Sequence, residues 1–193
     1  VFFNAASGSI AYAKMGRIDY KSGIVFGLAT LPGAILGAVL TNYINTYYFD
    51  IIMGVLLIVI AGFLFNKPHE GAYSSTSASK ELTHRSFTDN LGEKFSYNFN
   101  KQLGINISFI VGAISSFLGI GGGIIHVPAM ISVLNFPTHV ATATSHFVLA
   151  IMALTGTIVH LVMGSLQQGL HIALTIGAGV IVGAQIGAAF SHK

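Results

Sequence analysis

The chain contains no cysteine, which removes disulfide frameworks, thiolate metal sites and thiol nucleophiles and leaves the redox compartment open. It is also short of charge. Asp, Glu, Lys and Arg make up 8% of its 193 residues, against about 25% in ordinary soluble domains. The shortage is regional: none of these residues stands between Lys101 and Lys193, and Asp50 alone interrupts the stretch from Ser22 to Asn66. A charge near the centre of a bilayer costs about 2.5 to 3.5 kcal/mol even on the lenient insertion scale, so charge-free runs divided by short polar segments read as membrane spans. The charges present sum to +3, scattered and without interleaved aromatics, and this excludes nucleic acid as a partner. The chain opens on Val1 inside an apolar segment, with neither the basic start nor the cleavage site of a signal peptide. Further chain upstream is expected.

What fills the sequence is apolar, at 53% of residues. Val1 to Ala13 reads as the tail of a helix, followed by a basic turn from Lys14 to Lys21. Gly23 to Leu40 and Ile51 to Phe65 are spans, with Tyr43, Tyr47 and Tyr48 between them at headgroup level. Asn66 to Gln102, rich in Ser and Thr around Tyr73 to Ser79, reads as a polar surface loop. Leu103 to Leu118 enters the membrane, Gly119 to Gly123 breaks it, and Ile124 to Leu134 continues to the turn Asn135-Phe136-Pro137. Val140 to Met163 and Leu170 to Phe190 are two more spans. The expected fold is all-α integral membrane: a polytopic helical bundle with a first transmembrane half at 1–65, a cytoplasmic polar loop at 66–102 and a second half at 103–193.

The two halves carry an internal repeat. Gly8-Ser9-Ile10 falls on Gly156-Thr157-Ile158 and Met15-Gly16 on Met163-Gly164 at one offset. After a short gap, Gly33 to Ala38 falls on Gly179 to Ala184. The partner of the glycine break would then precede Val1, and each half is expected to open with a broken helix. The basic segments 14–21 and 66–102 share one side, which the charge rule makes cytoplasmic, in a multi-pass protein of the cell (inner or plasma) membrane. If the glycine break turns the chain back, Pro137 returns to that side, the neutral turn Gly164 to Gly169 faces outward, and the halves are inverted. If the broken helix crosses fully, the halves are parallel. The neutral turn set against a basic one favours inversion.

Four glycines among residues 119–123 mark backbone meant to unwind at membrane depth, which survives only where it is buried in protein or lines a cavity. The helix that follows would aim free N–H groups and a partial positive charge into that cavity, which suits an anion. A simple hinge or close helix packing is the plainer alternative. A dinucleotide fingerprint is excluded because Ile124 stands where its third glycine belongs. With no Lys or Arg at depth, an anion must be held by Gly119, Gly121, Gly122 and Gly123 and by nearby hydroxyls: Ser115, Ser116, Thr142, Thr144 and Ser145. Such hydroxyls more often bond their own backbone. His126, His139, His146, His160 and His171 are the groups of the second-half spans that titrate near neutrality. His126, one turn past the break, is the strongest candidate, and His146 shares a helical face with Thr142. No ligand spacing points to a metal, and no cofactor is called for. The spacing-four pairs Gly23 with Gly27, Gly33 with Gly37 and the series Gly179, Gly183, Gly187 read as helix packing.

The segments Gly119-Ile-Gly-Gly-Gly-Ile-Ile-His-Val-Pro128, Pro137-Thr-His-Val-Ala-Thr-Ala-Thr-Ser145 and Gly156 to Gly164 resemble the second half of the TauE/SafE family of sulfite-exporter-like membrane proteins. The turn Gly16 to Lys21 with Pro32 to Gly37 resembles the matching part of that family's first half. The resemblance implies eight membrane segments and export or uptake of sulfite, sulfonates or related anions. This chain departs from it in lacking the first broken helix and the last span, and in placing His126 and His146 where an aliphatic residue is common. The expected function is secondary transport of a small anion rather than catalysis. Its partners are that anion and the lipid bilayer, with homodimerisation left open. A non-transporting scaffold or assembly factor and an anion channel are the alternatives.

Overall fold

The computed structural model of the chain describes residues 1–41, 43–65, 82–164 and 169–190. The order is α1 (Phe2–Met15), α2 (Tyr20–Thr41), α3 (Thr46–Phe65), β1 (Leu82–Thr88), β2 (Lys94–Asn100), α4 (Lys101–Leu118), α5 (Gly123–Ser132), α6 (Thr138–Val162) and α7 (Leu170–Phe190). Among the described residues α2, α4 and α6 are long and apolar enough to cross a membrane. Parts of the expected polar loop, including residues 73–79, lie outside the described residues, as do residues 165–168 and Lys193, on which the sidedness reading partly rests.

Each helix boundary has a local cause. Gly16, in left-handed conformation at φ 71°, ends α1: its N–H donates to the Ala13 carbonyl at 3.1 Å and the Arg17 N–H to the Tyr12 carbonyl at 3.3 Å. Asp19 caps α2, its carboxylate accepting from the Ser22 N–H at 3.1 Å. Asn100 caps α4 in the same way through the Leu103 N–H at 3.1 Å. Gly119 at φ 68° closes α4 and Gly121 at φ 79° redirects the chain, so residues 119–122 are not helical and α5 starts at Gly123.

One expectation needs correcting. Residues 66–102 are not all loop, and the described structure is not all helix: β1 and β2 form an antiparallel hairpin in which Leu82 pairs with Asn100 and Thr88 with Lys94. The physical reason is a period-two pattern that the surrounding charges hide. Phe95, Tyr97 and Phe99 alternate with Lys94, Ser96 and Asn98, and the aromatic set is buried while the polar set is exposed. The turn Asp89 to Gly92 closes it, with Gly92 at φ 86°. The same stretch ends without a linker, since α4 begins at Lys101.

The hairpin lies at the end of the bundle where α1 joins α2. The Asn90 N–H donates to the Met15 carbonyl at 3.0 Å, and Arg17 pairs with Asp89 at 2.9 Å. Phe136, just beyond α5, stacks on Tyr97 at 4.5 Å and Phe99 at 5.0 Å. Since α4 starts at the hairpin and the segment after α5 packs against it, α4 and α5 go in and come back. Helix α2 runs beside α4 at backbone contact distance: a Cβ on Gly112 would stand 2.6 Å from the Thr30 carbonyl oxygen, and one on Gly37 2.8 Å from the Phe117 nitrogen. The pairs Gly23 and Gly27 meet Phe147 and Ile151 of α6. The corresponding series on α7 behaves differently, because among the described residues nothing lies within 4 Å of a Cβ built on Gly179 or Gly183.

Candidate functional site

The glycine break brings α5 to the middle of the α2, α4 and α6 packing. Its first turn leaves the Gly123 and Ile124 amides without intrahelical acceptors, and Gly122 offers no side chain to cap them. Around this helix start stand Gly122 and His126, with Thr30 from α2, Val111 from α4, and Ser145 and Val148 from α6. The space they enclose has no room for a water molecule.

Two hydroxyls at this place are unusual. Ser115 Oγ and Ser145 Oγ are buried, each residue 1% exposed, and neither has a hydrogen-bond partner among the described residues. Ser115 Oγ lies 3.6 Å from where a Cβ on Gly122 would stand. The threonines of the same bundle behave as hydroxyls on membrane helices ordinarily do: Thr142 donates to the Thr138 carbonyl at 2.9 Å, Thr155 to Ile151 at 3.1 Å and Thr157 to Ala153 at 2.7 Å. An orphaned buried hydroxyl costs about 1–3 kcal/mol. Two of them converging on one helix start form an unmet donor set.

His126 is 2% exposed, with Nε2 at 3.1 Å from Ser108 Oγ and its ring edge against Phe26 at 6.2 Å. No acid or base other than histidine shares the sequence from Leu103 to His192. The ring therefore meets a hydroxyl and an aromatic neighbour and no counter-charge on its own half.

The structure brings Gly121, Gly122, Gly123, His126, Ser115 and Ser145 together and places the other expected residues elsewhere. Gly119 is exposed as the cap of α4. Ser116 faces α6, its Oγ 3.3 Å from a Cβ position on Gly156. Thr144 Oγ1 accepts the Asp19 N–H at 3.0 Å and so belongs to the α1–α2 turn. His146 lies against α1, its ring 5.3 Å from that of Tyr12 and its Nδ1 on the Thr142 carbonyl at 3.0 Å. His139 and His171 are exposed and His160 is half-buried. No group of three His, Cys, Asp or Glu able to hold a metal occurs among the described residues.

Thr30 and Ser108 are site neighbours that reading the sequence missed. Ser108 has a legible signal: Gly104, Ser108, Gly112 and Ser115 form a small-residue stripe at helical spacing, and all four are buried. Thr30 has none beyond its place in a glycine-rich helix. Its Oγ1 donates to the Gly27 carbonyl at 2.6 Å, and the residue lines the pocket.

A second polar cluster sits at the hairpin end. The Asp19 carboxylate accepts from Ser22 Oγ and from the Tyr97 hydroxyl at 2.8 Å, with Arg85 Nε at 3.5 Å. Burial, then the Asp19 charge and hydrogen bond, push the Tyr97 phenol well up, so it stays a donor. At Asp89 burial opposes ionisation, but hydrogen bonds from Arg17 and from the Glu93 and Leu91 N–H groups outweigh it and hold the carboxyl below its usual value.

Comparison with known proteins agrees with this picture. Over 193 residues the chain is 35% identical to the probable membrane transporter protein YunE of Bacillus subtilis (strain 168), covering 100% of this chain and 69% of that protein. It is 27% identical over 145 residues to a probable membrane transporter protein of Xylella fastidiosa (strain Temecula1), covering 75% of this chain and 49% of the relative. It is 24% identical over 189 residues to the probable membrane transporter protein ORF9 of a Sinorhizobium species, covering 98% of this chain and 64% of the relative. The chain thus spans about half to two thirds of the length of these relatives. No solved structure matches. Helices fit to cross a membrane, relatives named as membrane transporters and a match to the sulfite exporter TauE/SafE family across residues 1–193 lead to one conclusion: the chain belongs to that family and is part of a membrane transport protein.

Proposed function

We propose that the chain forms part of a secondary transporter that carries a small anion, sulfite, a sulfonate or a related ion, by alternating access. The observation that carries this reading is the pair of partnerless buried hydroxyls, Ser115 and Ser145, beside the start of α5. The Gly123 and Ile124 amides and these hydroxyls are all donors, and no carboxylate occurs in the sequence from Leu103 to His192 that carries them. An oxyanion accepts several hydrogen bonds at once, so it answers this donor set better than a cation or an apolar solute would. Thr30 brings α2, from the first half, to the same place.

Helix packing supports inverted halves. Exchanging α1 with α6 and α2 with α7, as the repeat pairs them, turns the α2–α6 contact into the α1–α7 contact and leaves α1–α6 unchanged, and all three occur. The α1–α6 pair is antiparallel, since Ala5 packs with Leu149 and Met152 while Tyr12 meets His146. The α2–α6 pair is parallel, since Gly23 meets Phe147 and Gly27 meets Ile151. On this reading the hairpin and the α1–α2 turn, which touch, are the cytoplasmic end, as the basic residues there require.

The test is uptake of radiolabelled sulfite and of a simple alkylsulfonate into proteoliposomes holding the full-length protein. Saturable uptake above empty vesicles, reduced by Ser145→Ala, is expected. Absence of flux for sulfite, sulfonate and sulfate alike refutes the proposal.

A further inference from the structure

We propose that the β1–β2 hairpin is the gate that shuts the anion site from the hairpin end, and that Asp19 is its latch. The inference rests on the anion-site reading above and adds a means of controlling access to it.

A continuous path joins the hairpin to the site. Tyr97 and Phe99 stack on Phe136, Phe99 and Phe136 meet Phe26 at 5.9 and 6.2 Å, and Phe26 meets the edge of His126. His126 lines the closed pocket. The aromatic face of β2 is therefore the outer layer of a plug whose inner layer is the pocket wall, and nothing can reach Ser145 from this end while that face stays down.

What holds it down is polar and lies at the rim. Both strands reach the same carboxylate: Arg85 from β1 and Tyr97 from β2 converge on Asp19. The hairpin tip is tied a second time, with Asp89 taking Arg17, Glu93 at 3.6 Å from it, and the Asn90 side chain donating to the Lys14 carbonyl at 2.7 Å. A hairpin held by apolar burial alone would not need two ion-paired anchors on one helix turn. Asp19 also connects to the site, because its own N–H bonds Thr144, whose neighbour Ser145 lines the pocket. Strand β2 runs into α4 at Asn100, so lifting the hairpin pulls on the helix that carries Ser108 and Ser115. Latch, lid and donor set thus form one mechanical unit.

The chain's lack of cysteine makes a direct test available. The 3.0 Å backbone bond from Asn90 to Met15 puts the two Cα atoms within the span a disulfide bridges, about 4.4–6.8 Å. Met15→Cys and Asn90→Cys, which leave both ion pairs in place and give up only the Asn90 side-chain bond to Lys14, are combined with the reporter Ser145→Cys in the full-length protein. Maleimide labelling at residue 145 is read by peptide mass spectrometry, before and after oxidation of the pair. Labelling in the reduced protein that is lost on oxidation and regained with dithiothreitol is expected, and radiolabelled sulfite uptake, measured on the Met15→Cys, Asn90→Cys pair with Ser145 intact, should follow the same cycle. Equal labelling in both forms overturns the gate, and so does a reporter that never labels at 145 or at a second position, Thr30→Cys, in the reduced, folded protein. Protection of the reporter by the cross-link, with no sulfite uptake in either form by the cysteine pair that keeps Ser145 and Thr30, leaves the gate standing and refutes the substrate instead. Asp19→Asn, which weakens the latch without changing its size, should label faster than the parent.

Discussion

Gly112→Ala is the sharpest test of how α2 and α4 are held together. A Cβ on Gly112 would stand 2.6 Å from the Thr30 carbonyl oxygen and 3.0 Å from the Thr30 Cα, both backbone atoms that no rotamer change can move. An ordinary carbon–oxygen contact is about 3.3 Å or longer, so the two helices must part by about 0.7 Å. Forcing an extra methyl into a packed interface costs about 1–3 kcal/mol. Against that, alanine gains up to about 1 kcal/mol over glycine in a helix. The gain can be cancelled by a matched control. Gly179→Ala adds the same methyl to α7, where nothing lies within 4 Å, so the difference between the two variants isolates the clash. That difference should be about 1–3 kcal/mol, or roughly 2–12 °C in apparent melting temperature for a chain of this length. The assay is thermal unfolding of the full-length protein in detergent, at one scan rate because such transitions are rarely reversible. Since Thr30 lines the pocket, Gly112→Ala should also lower sulfite uptake while Gly179→Ala leaves it alone. Equal melting temperatures for the two variants would show that α2 and α4 are not at backbone contact.

Ser145→Ala and Ser115→Ala remove orphaned hydroxyls, so each should raise the melting temperature, by the equivalent of about 1 kcal/mol, while weakening anion uptake; a loss of stability would mean that the hydroxyl has a structural partner. His126→Leu strips Ser108 of its partner and should cost about 1–3 kcal/mol, most of it recovered in the double variant with Ser108→Ala in a double-mutant cycle. The same His126→Leu protein should show a changed affinity for sulfite in the uptake assay, and an unchanged affinity would make the ring packing alone. Asp89 is held below its usual value in the folded protein, so it stabilises above the unfolded carboxyl pKa of about 3.9 and that stability is lost as pH falls through the folded value. Asp89→Asn should therefore be less stable than the parent at neutral pH and lose less on acidification, as read from melting temperature against pH.

What the sequence disclosed and what it hid divide along the range of the interaction responsible. Glycine conformation is a local matter, so the interruption at residues 119–122 is legible from residue type, while the basic residues of 14–21 place the end of α1 at Ala13, two residues before its actual end at Met15. The charge-free stretches were legible too, because bilayer cost is counted residue by residue. The hairpin was obscured although its signal is local: Phe95, Tyr97 and Phe99 alternate strictly, but the segment was weighed by its charges and hydroxyls and read as loop. At the site, nearness in sequence picked out His126, Ser115 and Ser145. It also picked out Thr144, Thr142 and His146, which helical rotation turns toward the α1–α2 turn, the helix's own backbone and α1. Ser108 stands in a small-residue stripe that a short window does contain, whereas Thr30 needs knowledge of which helices meet, and no short window contains that.

The paired glycines show the limit most clearly, because one motif has two environments. Gly33 and Gly37 correspond in the repeat to Gly179 and Gly183, and spacing four alone assigns both pairs to helix packing. In the structure the first pair seats the backbone of α4, while the second meets nothing among the described residues. Sequence spacing records that a helix is able to accept a close neighbour; it does not record whether the neighbour is there. The distinction reaches the site, because α4 carries Ser108 and Ser115 and its depth against α2 is set by how closely Gly33, Gly37 and Gly112 let the two backbones approach. Cavities that bind small anions need donors placed to within a few tenths of an ångström, and a methyl anywhere along that seam would move the Ser115 hydroxyl by more than that. On the proposed function, the glycines far from the α5 start therefore shape the site's geometry even though none of them would touch the anion.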